Sequence, residues 1–455
     1  MKEMVPCLRE KWEMKKAGSF YFFYLGLLDW TKNCAIEASG PNEQAENLLR
    51  RVAMLDAPNQ WRLETPGHAG WERTARPRDP NKYFMISCDS HMNEPANLWK
   101  ERLDAKYSER LPRIEVDEKG VKWSVSEGFQ RSRLHDSVFH GEDLERQKSG
   151  ADPEQRLKDM VRDGVDAEII FPNKGLAMWA TPDPQFAMAQ CRIYNDWAWE
   201  VFGKYNDRMS PMACLATGDL DASIAEIKRV AKMGYRGLTL PCKPIFGAHD
   251  ARHPNYNLPM FDPLWEVIQD TGLPITFHIS TGRDPRAARK DGGAVINYVS
   301  HSLAPTIEPI ANMCASGVLE RFPQIKFAAI ECGIGWVAWA INAMDEAYKK
   351  HHMWRWPTLK KLPSEYFREH GYCSFQEDQV GIDLAVKYNL VDNCLWANDY
   401  PHHEGSWPHS AEAIERQMGE LSEKHRAKIL GLNAAKLFKF EVPKTYLASY
   451  AETLH

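Results

Sequence analysis

Residues 83–91 read YFMISCDSH, an apolar run that ends in polar residues. Runs of this length and composition are typical of buried β-strands. Asp89 and His91 stand two positions apart, and side chains along a strand repeat every two residues, so both point to the same side. The sequence therefore predicts a buried strand whose carboxyl end presents one carboxylate and one imidazole together.

Seven further short apolar runs follow along the chain, and helical patterns that often begin at Asp or Pro and end at Gly lie between them. The predicted strands are 83–90 (YFMISCDS), 167–172 (AEIIFP), 210–216 (SPMACLA), 237–241 (GLTLP), 274–280 (PITFHIS), 326–331 (KFAAIE), 371–375 (GYCSF) and 393–399 (NCLWAND). Eight strands that alternate with helices predict an α/β fold, the (β/α)₈ TIM barrel. An open doubly wound sheet is the alternative, but no GxGxxG motif follows the first strand.

The chain is expected to have three parts. Residues 1–80 are interpreted as a helical N-terminal extension with a Pro-rich arm, and residues 441–455 as a tail. Residues 81–440 hold the barrel, with an insertion at 92–150 that is too long for a βα loop and contains a hairpin around Lys119-Gly120. The aromatic N-terminal arm suits packing on a neighbouring chain, so we expect a homo-oligomer; an arm folded on its own barrel is the alternative.

Composition excludes several classes of partner. The 455 residues include 57 Lys and Arg against 62 Asp and Glu, with no basic run to neutralise a phosphate backbone, so we expect no nucleic-acid partner. The most apolar stretch near the start, residues 20–28, is too short to span a bilayer, so we expect no membrane anchor. The ten cysteines form no CxxC motif, which favours reduced thiols and a cytoplasmic protein.

Potential metal ligands recur where the predicted strands end, on the side where barrel active sites are built. Besides Asp89 and His91, His278 ends the fifth strand, Glu331 the sixth and Asp399 the eighth. A lone buried histidine is more often a hydrogen-bonded core residue, but five such residues at strand ends favour a common site. Carboxylates and imidazoles together suit one or two divalent ions, with zinc or manganese expected first and iron as the alternative.

These residues belong to motifs that resemble the amidohydrolase-related family (amidohydrolase 2). This is the branch of the amidohydrolase superfamily that includes aminocarboxymuconate-semialdehyde decarboxylase, and the resemblance covers roughly residues 83–440. The motifs are 88–99 (CDSHMNEPANLW), 273–282 (LPITFHISTG), 321–336 (RFPQIKFAAIECGIGW), 398–410 (NDYPHHEGSWPHS) and 429–438 (ILGLNAAKLF). The resemblance implies a metal-dependent enzyme on a TIM barrel.

The resemblance also implies roles for the predicted ligands. Asp89 and His91 replace the family's first-strand H-x-H pair, His278 is the fifth-strand ligand, and Asp399 is the eighth-strand ligand and proton carrier. Decarboxylases of this family usually have a histidine at the end of the sixth strand, where this chain has Glu331. Glu331 is interpreted as a general acid or base, or as a ligand that helps to hold a second ion. A carboxylate that only hydrogen-bonds inside the barrel is the alternative.

Two residues beside the ligands are candidates for supporting roles. His402 follows Asp399 and is a candidate catalytic residue that would stabilise a developing oxyanion or orient Asp399. Glu94 is either a hydrogen-bond partner of His91 or a residue that stabilises its own turn.

Three further residues are candidates for substrate binding. His301 and Arg283 lie on the segment after the fifth strand, where charge-assisted hydrogen bonds could hold a substrate carboxylate, and surface positions are the alternative. Trp336 suits a planar or hydrophobic substrate, although core packing explains at least some of the tryptophans near these motifs.

Together the residues predict a metal-dependent hydrolase that acts on a small aromatic or cyclic carbonyl or carboxylate substrate. A bound cation lowers the pKa of its water toward about 7, and Asp399 would take the proton from that water. The first alternative is a nonoxidative decarboxylase of an aromatic or unsaturated acid, against which Glu331 counts. The second is a non-heme iron oxygenase with one or two irons on the same barrel. A purely structural metal is disfavoured, because structural zinc sites are usually closed and Cys-rich.

Overall fold

The computed structural model describes residues 83–129, 131–134, 144, 150–247, 254–282, 291–354, 356–402 and 404–444. The predicted extension at residues 1–80 and most of the tail at 441–455 lie outside the described residues. The boundaries of these parts and the role of the arm in an oligomer therefore stay predictions.

Twelve strands are present in the described part of the chain. In chain order they are β1 (Ile86–Met92), β2 (Arg113–Val116), β3 (Lys122–Val125), β4 (Ser132–Arg133), β5 (Ala167–Pro172), β6 (Met209–Pro211), β7 (Ala213–Cys214), β8 (Leu238–Leu240), β9 (Ile275–His278), β10 (Phe327–Ile330), β11 (Gly371–Phe375) and β12 (Cys394–Trp396). Strands β2, β3 and β4 form a small antiparallel sheet, and all the other pairings are parallel. All eight predicted strands are found, the third of them divided into β6 and β7.

The parallel strands form two sheets, which follow the order β1-β5-β6 and β7-β8-β9-β10-β11-β12. Only Met212 separates β6 from β7, and its N–H donates to the carbonyl of Ile170 at 2.9 Å. At the other seam, the N–H of Asp399 donates to the carbonyl of Asp89 at 3.0 Å. The strands do not form one uninterrupted ring, but backbone hydrogen bonds join the two sheets at both seams. The predicted TIM-barrel class of the fold is confirmed.

The helices between the strands begin and end at the signals that the sequence carries. They are α1 (Leu98–Arg102), α2 (Pro153–Asp163), α3 (Pro184–Phe202), α4 (Leu220–Met233), α5 (Asp262–Thr271), α6 (Gly293–Ile296), α7 (Ala304–Ala315), α8 (Val318–Arg321), α9 (Gly335–Lys350), α10 (Pro363–His370), α11 (Gln379–Lys387), α12 (Ser410–Met418), α13 (Glu423–Ala427) and α14 (Asn433–Phe438). Asp152 and Asp183 cap the amino ends of α2 and α3, and Gly164 ends α2 in the left-handed conformation. Within the described ranges, no helix has the length and apolar character needed to cross a bilayer.

Short 3₁₀ segments and π-helical segments complete the connections. The 3₁₀ segments are Ala105–Arg110, Lys174–Ala177, Gly203–Tyr205, Pro259–Phe261 and Val391–Asn393. The π-helical segments are Asn297–Leu303 and Lys428–Leu432, and each runs directly into the helix that follows it.

Alternate residues of the barrel strands fall into two separate apolar clusters. The smaller cluster includes Ile86, Ile169, Met212, Ile330 and Leu395, which come from strands all around the ring, so this cluster fills the inside of the barrel. The larger cluster includes the other face of the strands and the helices. The period of two along each strand therefore decides which side chains face the barrel axis.

The insertion after β1 contains the predicted hairpin. Strands β2 and β3 pair around a turn in which Gly120 has φ 75°, a conformation that favours glycine. Arg110 binds Glu127 within the insertion and Asp183 at the start of α3, at 2.8 Å in both cases. The ring of Phe129 lies 5.0 Å from that of Phe246. The insertion thus contacts segments that follow β5 and β8.

Glu412 in α12 makes the stability of the fold depend on pH. Its side chain is buried, and neither carboxylate oxygen has a hydrogen-bond partner in another described residue. Burial, together with the charge of Asp163, raises the pKa of Glu412 to about 7. The folded state therefore binds this proton more tightly than the unfolded state does. The resulting stabilisation is complete below the unfolded pKa and is lost as the pH rises through about 7.

We expect Glu412→Gln to raise the free energy of unfolding at pH 8 by on the order of 2 kcal/mol, with little change at pH 5. Thermal unfolding at both pH values measures the difference. Glu266→Gln, at an exposed position of α5, is the matched control and should change neither value. An equal effect of Glu412→Gln at both pH values would contradict the pKa assignment.

Candidate metal centre

All five predicted metal ligands lie together at the carboxyl ends of the barrel strands. Asp89, His91, His278 and Glu331 each offer a donor atom within 4.8 Å of the other three. A second, overlapping group consists of His91, Glu331, Asp399 and His402. The two groups share His91 and Glu331, so they form one continuous cluster.

The first group forms a closed ring of short contacts between nitrogen and oxygen. His91 Nε2 lies 3.4 Å from Asp89 Oδ1 and 3.6 Å from Glu331 Oε2. His278 Nε2 lies 3.3 Å from each of the same two atoms. In a tetrahedral site with bonds of about 2.1 Å, neighbouring donors are about 3.4 Å apart. The ring therefore has the dimensions of a coordination sphere.

A shift in strand register aims the first two ligands into the barrel. The pairing of β1 with β5 is shifted between Ser87 and Ser90, as in a β-bulge. Before the shift, Ile86 faces the barrel interior, and strict alternation would put Asp89 and His91 on the opposite side. The extra residue in β1 reverses the alternation, so both ligands reach the centre.

Left-handed backbone conformations place two carboxylates. Glu331 has φ 59° and Asp399 has φ 53°, and Ser280, two residues after His278, has φ 72°. Such values are uncommon for residues other than glycine and occur frequently at functional sites. Ile330 faces the barrel interior, so regular alternation would turn Glu331 outward. The left-handed turn instead brings its carboxylate to the two histidines.

Backbone carbonyls orient both histidines. His91 Nδ1 lies 2.9 Å from the carbonyl of Pro172, and His278 Nδ1 lies 2.9 Å from the carbonyl of Ile279. A proton on Nδ1 that is donated to a carbonyl leaves the lone pair on Nε2. Each imidazole therefore directs a metal-binding nitrogen at the centre.

Unsatisfied buried atoms support a cation at this position. Asp89 Oδ2, His91 Nε2 and both carboxylate oxygens of Asp399 are buried and make no hydrogen bond to a described residue. Buried polar atoms rarely remain unpaired, and unpaired charged ones are costly. Oxygen and imidazole donors in this number suit Zn²⁺, Mn²⁺ or Fe²⁺. The residues present therefore fit one divalent ion.

The side chains of the cluster perturb one another's pKa values. Burial favours neutral Asp89, yet His278 and His91 outweigh it and lower the pKa of that carboxyl. Burial also opposes charge on His91, but the adjacent carboxylates of Asp399, Asp89 and Glu331 raise the pKa of that imidazole well above its ordinary value. Burial and the charge of Asp399 raise the pKa of Glu331 to about 7. The negative charges of the three carboxylates, Asp89, Glu331 and Asp399, would favour the binding of a cation.

Among the described residues of the centre, two side chains are partly exposed. The side chains of Asp89, His91, His278 and Asp399 are fully buried, whereas that of Glu331 is 10% exposed and that of His402 is 17% exposed. A small molecule can thus approach the centre only past these two residues, as far as the described residues show.

His402 lies directly against the ligands. Its ring stacks on that of His91 with 3.9 Å between centroids, and its Nδ1 lies 3.1 Å from Asp399 Oδ1. Burial and the charge of His91 lower the pKa of His402, but Asp399 and Glu331 together outweigh both and raise it overall. This geometry fits the predicted role of orienting Asp399.

Glu94 forms no hydrogen bond with His91, so the prediction that it is a hydrogen-bond partner of His91 is wrong. Its carboxylate accepts hydrogen bonds from the backbone N–H groups of Asn173, Lys174 and Gly175 at 2.9–3.0 Å. The Nδ1 atom of His91 uses the carbonyl of Pro172 instead. The physical reason is that the turn after β5 leaves three backbone donors which a buried carboxylate can satisfy.

The predicted substrate-binding residues are less closely tied to the centre. His301 lies in the π-helical segment and contacts Asn297 at 3.2 Å. The indole N–H of Trp336 donates to the carbonyls of Cys332 and Gly333, next to Glu331. Arg283 lies outside the described residues. Substrate binding by these three residues stays a prediction.

Two residues near the centre were not predicted. Asn173 Oδ1 lies 3.4 Å from His402 Nε2, and the Phe171 ring lies 4.8 Å from the ring of His278. Both stand at the end of β5, the second barrel strand. The position at a strand end, which identified the other site residues, was the signal that could have found Asn173.

A buried arginine contacts the backbone and a side chain next to the proposed ligands. Arg156 in α2 forms an ion pair with Glu168 at 2.6 Å and donates to the carbonyl of His91 at 2.7 Å. Its guanidinium lies 4.8 Å from the centroid of the Tyr400 ring. Arg156 thus connects the backbone of one ligand with the residue that follows Asp399.

Comparison with known proteins agrees with this geometry. The sequence profile of the amidohydrolase family matches residues 88–440, which include all of the proposed ligands. The chain belongs to this family. A search of curated protein sequences finds no match.

Solved structures share the fold at low sequence identity. An amidohydrolase from Mycobacterium avium subsp. paratuberculosis K-10 is 20% identical with a TM-score of 0.63, over 79% of this chain and 99% of its own. A 5-carboxyvanillate decarboxylase from Sphingomonas paucimobilis is 20% identical with a TM-score of 0.53, over 79% and 100%. A dihydroxybenzoic acid decarboxylase from Polaromonas sp. JS666, with bound manganese and the inhibitor 2-nitroresorcinol, is 18% identical with a TM-score of 0.55, over 80% and 99%.

Family membership and the cluster of ligands together identify the chain as a metal-dependent enzyme, a hydrolase or a lyase. At the identities above, the structural likeness establishes the TIM-barrel fold alone. The reaction and the substrate have to be argued from the site.

Proposed function

We propose that the protein is a nonoxidative, metal-dependent decarboxylase of a small aromatic carboxylic acid. The observation that carries the proposal is the position of Glu331, a carboxyl group on the open side of an otherwise buried centre. Glu331 departs from the histidine that is usual at this position in decarboxylases of the family, but decarboxylation needs only a proton donor at the carbon that loses CO₂. The carboxyl group of Glu331 can act as that donor, and it lies where a substrate would enter. Two of the structural relatives are decarboxylases of aromatic acids, which supports this choice of reaction.

The residues of the site have separate roles in the proposed reaction. Asp89, His91, His278 and Asp399 would hold the cation, and the manganese in a structural relative makes Mn²⁺ the first ion to test. A divalent cation supplies positive charge that binds and orients an anionic substrate. The bond between the ring carbon and the carboxylate breaks, its electron pair stays on the ring carbon, and CO₂ leaves. Glu331 then delivers a proton to that carbon, and His402 keeps Asp399 oriented.

Hydrolysis is the second candidate, favoured by Asp399. Both of its carboxylate oxygens lack a hydrogen-bond partner among the described residues, so the side chain is placed to accept a proton from a water molecule. The two-iron oxygenase hypothesis has less support from the geometry. His91 Nε2 belongs to both groups of donors, and one nitrogen lone pair binds one ion. A second ion would have only Glu331, Asp399 and His402.

Product analysis separates the three reactions. The purified protein, loaded with Mn²⁺ or Zn²⁺, is incubated without oxygen with hydroxylated benzoic acids that carry ¹³C in the carboxylate. We expect ¹³CO₂ and the decarboxylated ring. Aromatic amides and lactones are incubated in parallel, and their hydrolysis without CO₂ release from the acids would support a hydrolase and overturn the proposal. Oxygen uptake that requires iron would also overturn it.

Glu331→Gln tests the proton donor. We expect turnover to fall by about 10²-fold or more with nearly unchanged metal content, since the four residues that would hold the cation, which are Asp89, His91, His278 and Asp399, remain. Glu266→Gln is the matched control and should keep full turnover. Metal content is measured by inductively coupled plasma mass spectrometry. Loss of the metal would make Glu331 a required ligand, and unchanged turnover would exclude it as the donor.

A further inference from the structure

A second cavity lies at the opposite end of the barrel from the metal centre. It has a volume of about 180 Å³ and is bordered by residues that precede β9 and β10, including Pro274 and Lys326. Tyr372 at the start of β11 and the end of α14 complete its wall. These positions are at the amino ends of the strands, whereas all of the proposed ligands are at the carboxyl ends.

Three lysines border this cavity, and no carboxylate among the described residues lines it. They are Lys326, Lys436 and Lys439. None of the three has an ion-pair partner within 4.0 Å among the described residues. The nearby carboxylate of Glu369 binds Lys361 instead. The cavity therefore has an uncompensated positive charge.

The structure gives two of the lysines only part of their hydrogen bonds. Lys439 Nζ donates to the carbonyl of Gly272, which ends α5, and Lys326 Nζ donates to the carbonyl of Glu369 in the last turn of α10. Contacts of this kind are expected at the carboxyl ends of helices. An ammonium group has three N–H donors, so each lysine keeps donors for another acceptor.

Burial and the charge of Lys436 together lower the pKa of Lys326. The charge of Lys436 has a larger effect on this pKa than the opposing charge of Glu369. Lys439 also has φ 58°, a left-handed conformation that is uncommon for lysine. Besides Gln324 and Tyr372, the rest of the wall is mostly apolar, since Ile268, Leu273 and Leu437 line it.

We propose that this cavity binds a small organic anion, with an oxyanion head on the lysines and a short apolar body against the aliphatic wall. The volume limits the body to a few carbon atoms. The head would be a phosphate or a carboxylate, since both accept several hydrogen bonds from ammonium groups. This site is independent of the proposed reaction, because no residue is shared with the metal centre.

Calorimetric titration of the metal-loaded protein tests the proposal with butyl phosphate and pentanoate as probes. We expect at least one of them to bind, and to bind about tenfold more weakly to the double variant Lys436→Gln, Lys439→Gln. Lys326→Met is the second test variant, and Lys387→Gln, an exposed lysine of α11, is the matched control. The thermal midpoint of each variant shows that it is folded, and its basal turnover should stay unchanged.

Five outcomes decide the result. Lysine-dependent binding of butyl phosphate alone assigns a phosphate head, and that of pentanoate alone assigns a carboxylate head. Absence of binding by either probe overturns the proposal, as does equal affinity of the wild type and the double variant, which would place the anion on the metal. Inorganic phosphate is titrated in parallel, and affinity equal to that of butyl phosphate would exclude the apolar part of the site.

Discussion

Asp399→Asn is expected to lower turnover by about 10³-fold while most of the metal stays bound. The carboxylate of Asp399 lies 3.3 Å from His91 Nε2 and 3.1 Å from His402 Nδ1. An amide keeps the shape of the side chain but carries no negative charge and cannot accept a proton at neutral pH. Asp89, His91 and His278, the other three residues that would hold the cation, are unchanged and an amide oxygen can still coordinate, so most of the metal should stay bound.

Turnover with the best substrate and metal content per chain measure this effect. Asp207→Asn, an exposed aspartate next to Arg208, is the matched control and should behave like the wild type. Full turnover in Asp399→Asn would remove Asp399 from the mechanism. Complete loss of metal would make Asp399 a required ligand. Proton transfer would then be assigned to Glu331 alone.

Arg156→Ala is expected to lower the free energy of unfolding by about 3–5 kcal/mol, the largest stability effect that the structure predicts. The ion pair of Arg156 and Glu168 is almost completely buried, with side-chain exposures of 0% and 1%. Removal of the guanidinium leaves the Glu168 carboxylate buried and unpaired, and it also removes the donor to the carbonyl of His91. Denaturant and thermal midpoints measure the loss.

Two variants control this prediction. Arg102→Ala removes a bidentate pair with Glu200 whose side chains are 38% and 57% exposed, and we expect a change below about 1 kcal/mol. Addition of Glu168→Gln to Arg156→Ala should restore part of the stability, because the unpaired charge is gone. A double variant as unstable as Arg156→Ala would mean that lost packing, and not the unpaired charge, causes the effect.

The barrel could be predicted from the sequence because each of its strands is a short apolar run with clear ends. The stretches 167–172 and 371–375 match β5 and β11 at both bounds. The third strand was predicted as one run, but Met212 divides it where the chain changes partner from β5 to β8. A change of pairing partner depends on the neighbouring strands, so no local sequence pattern predicts it.

The ligands could also be predicted, but the reasons for their orientation could not. The spacing of Asp89 and His91 shows that they share a side, whereas the register shift in β1 decides which side. The left-handed conformation of Glu331 likewise depends on tertiary contacts, among them its N–H bond to Ser374 Oγ at 2.8 Å. Glu94 was ambiguous because its partners lie about 80 positions further along the chain.

The seams between the two sheets have a consequence for how the protein keeps its shape. Asp89 and His91 belong to the three-stranded sheet, whereas His278, Glu331 and Asp399 follow strands of the six-stranded sheet. A bound ion would therefore join the two sheets at the seam between β12 and β1. Ligand binding to the folded state stabilises it by about 2.7 kcal/mol at a ligand concentration of 100 times Kd. The concentration of free metal would thus affect the free energy of unfolding of the protein as well as its turnover.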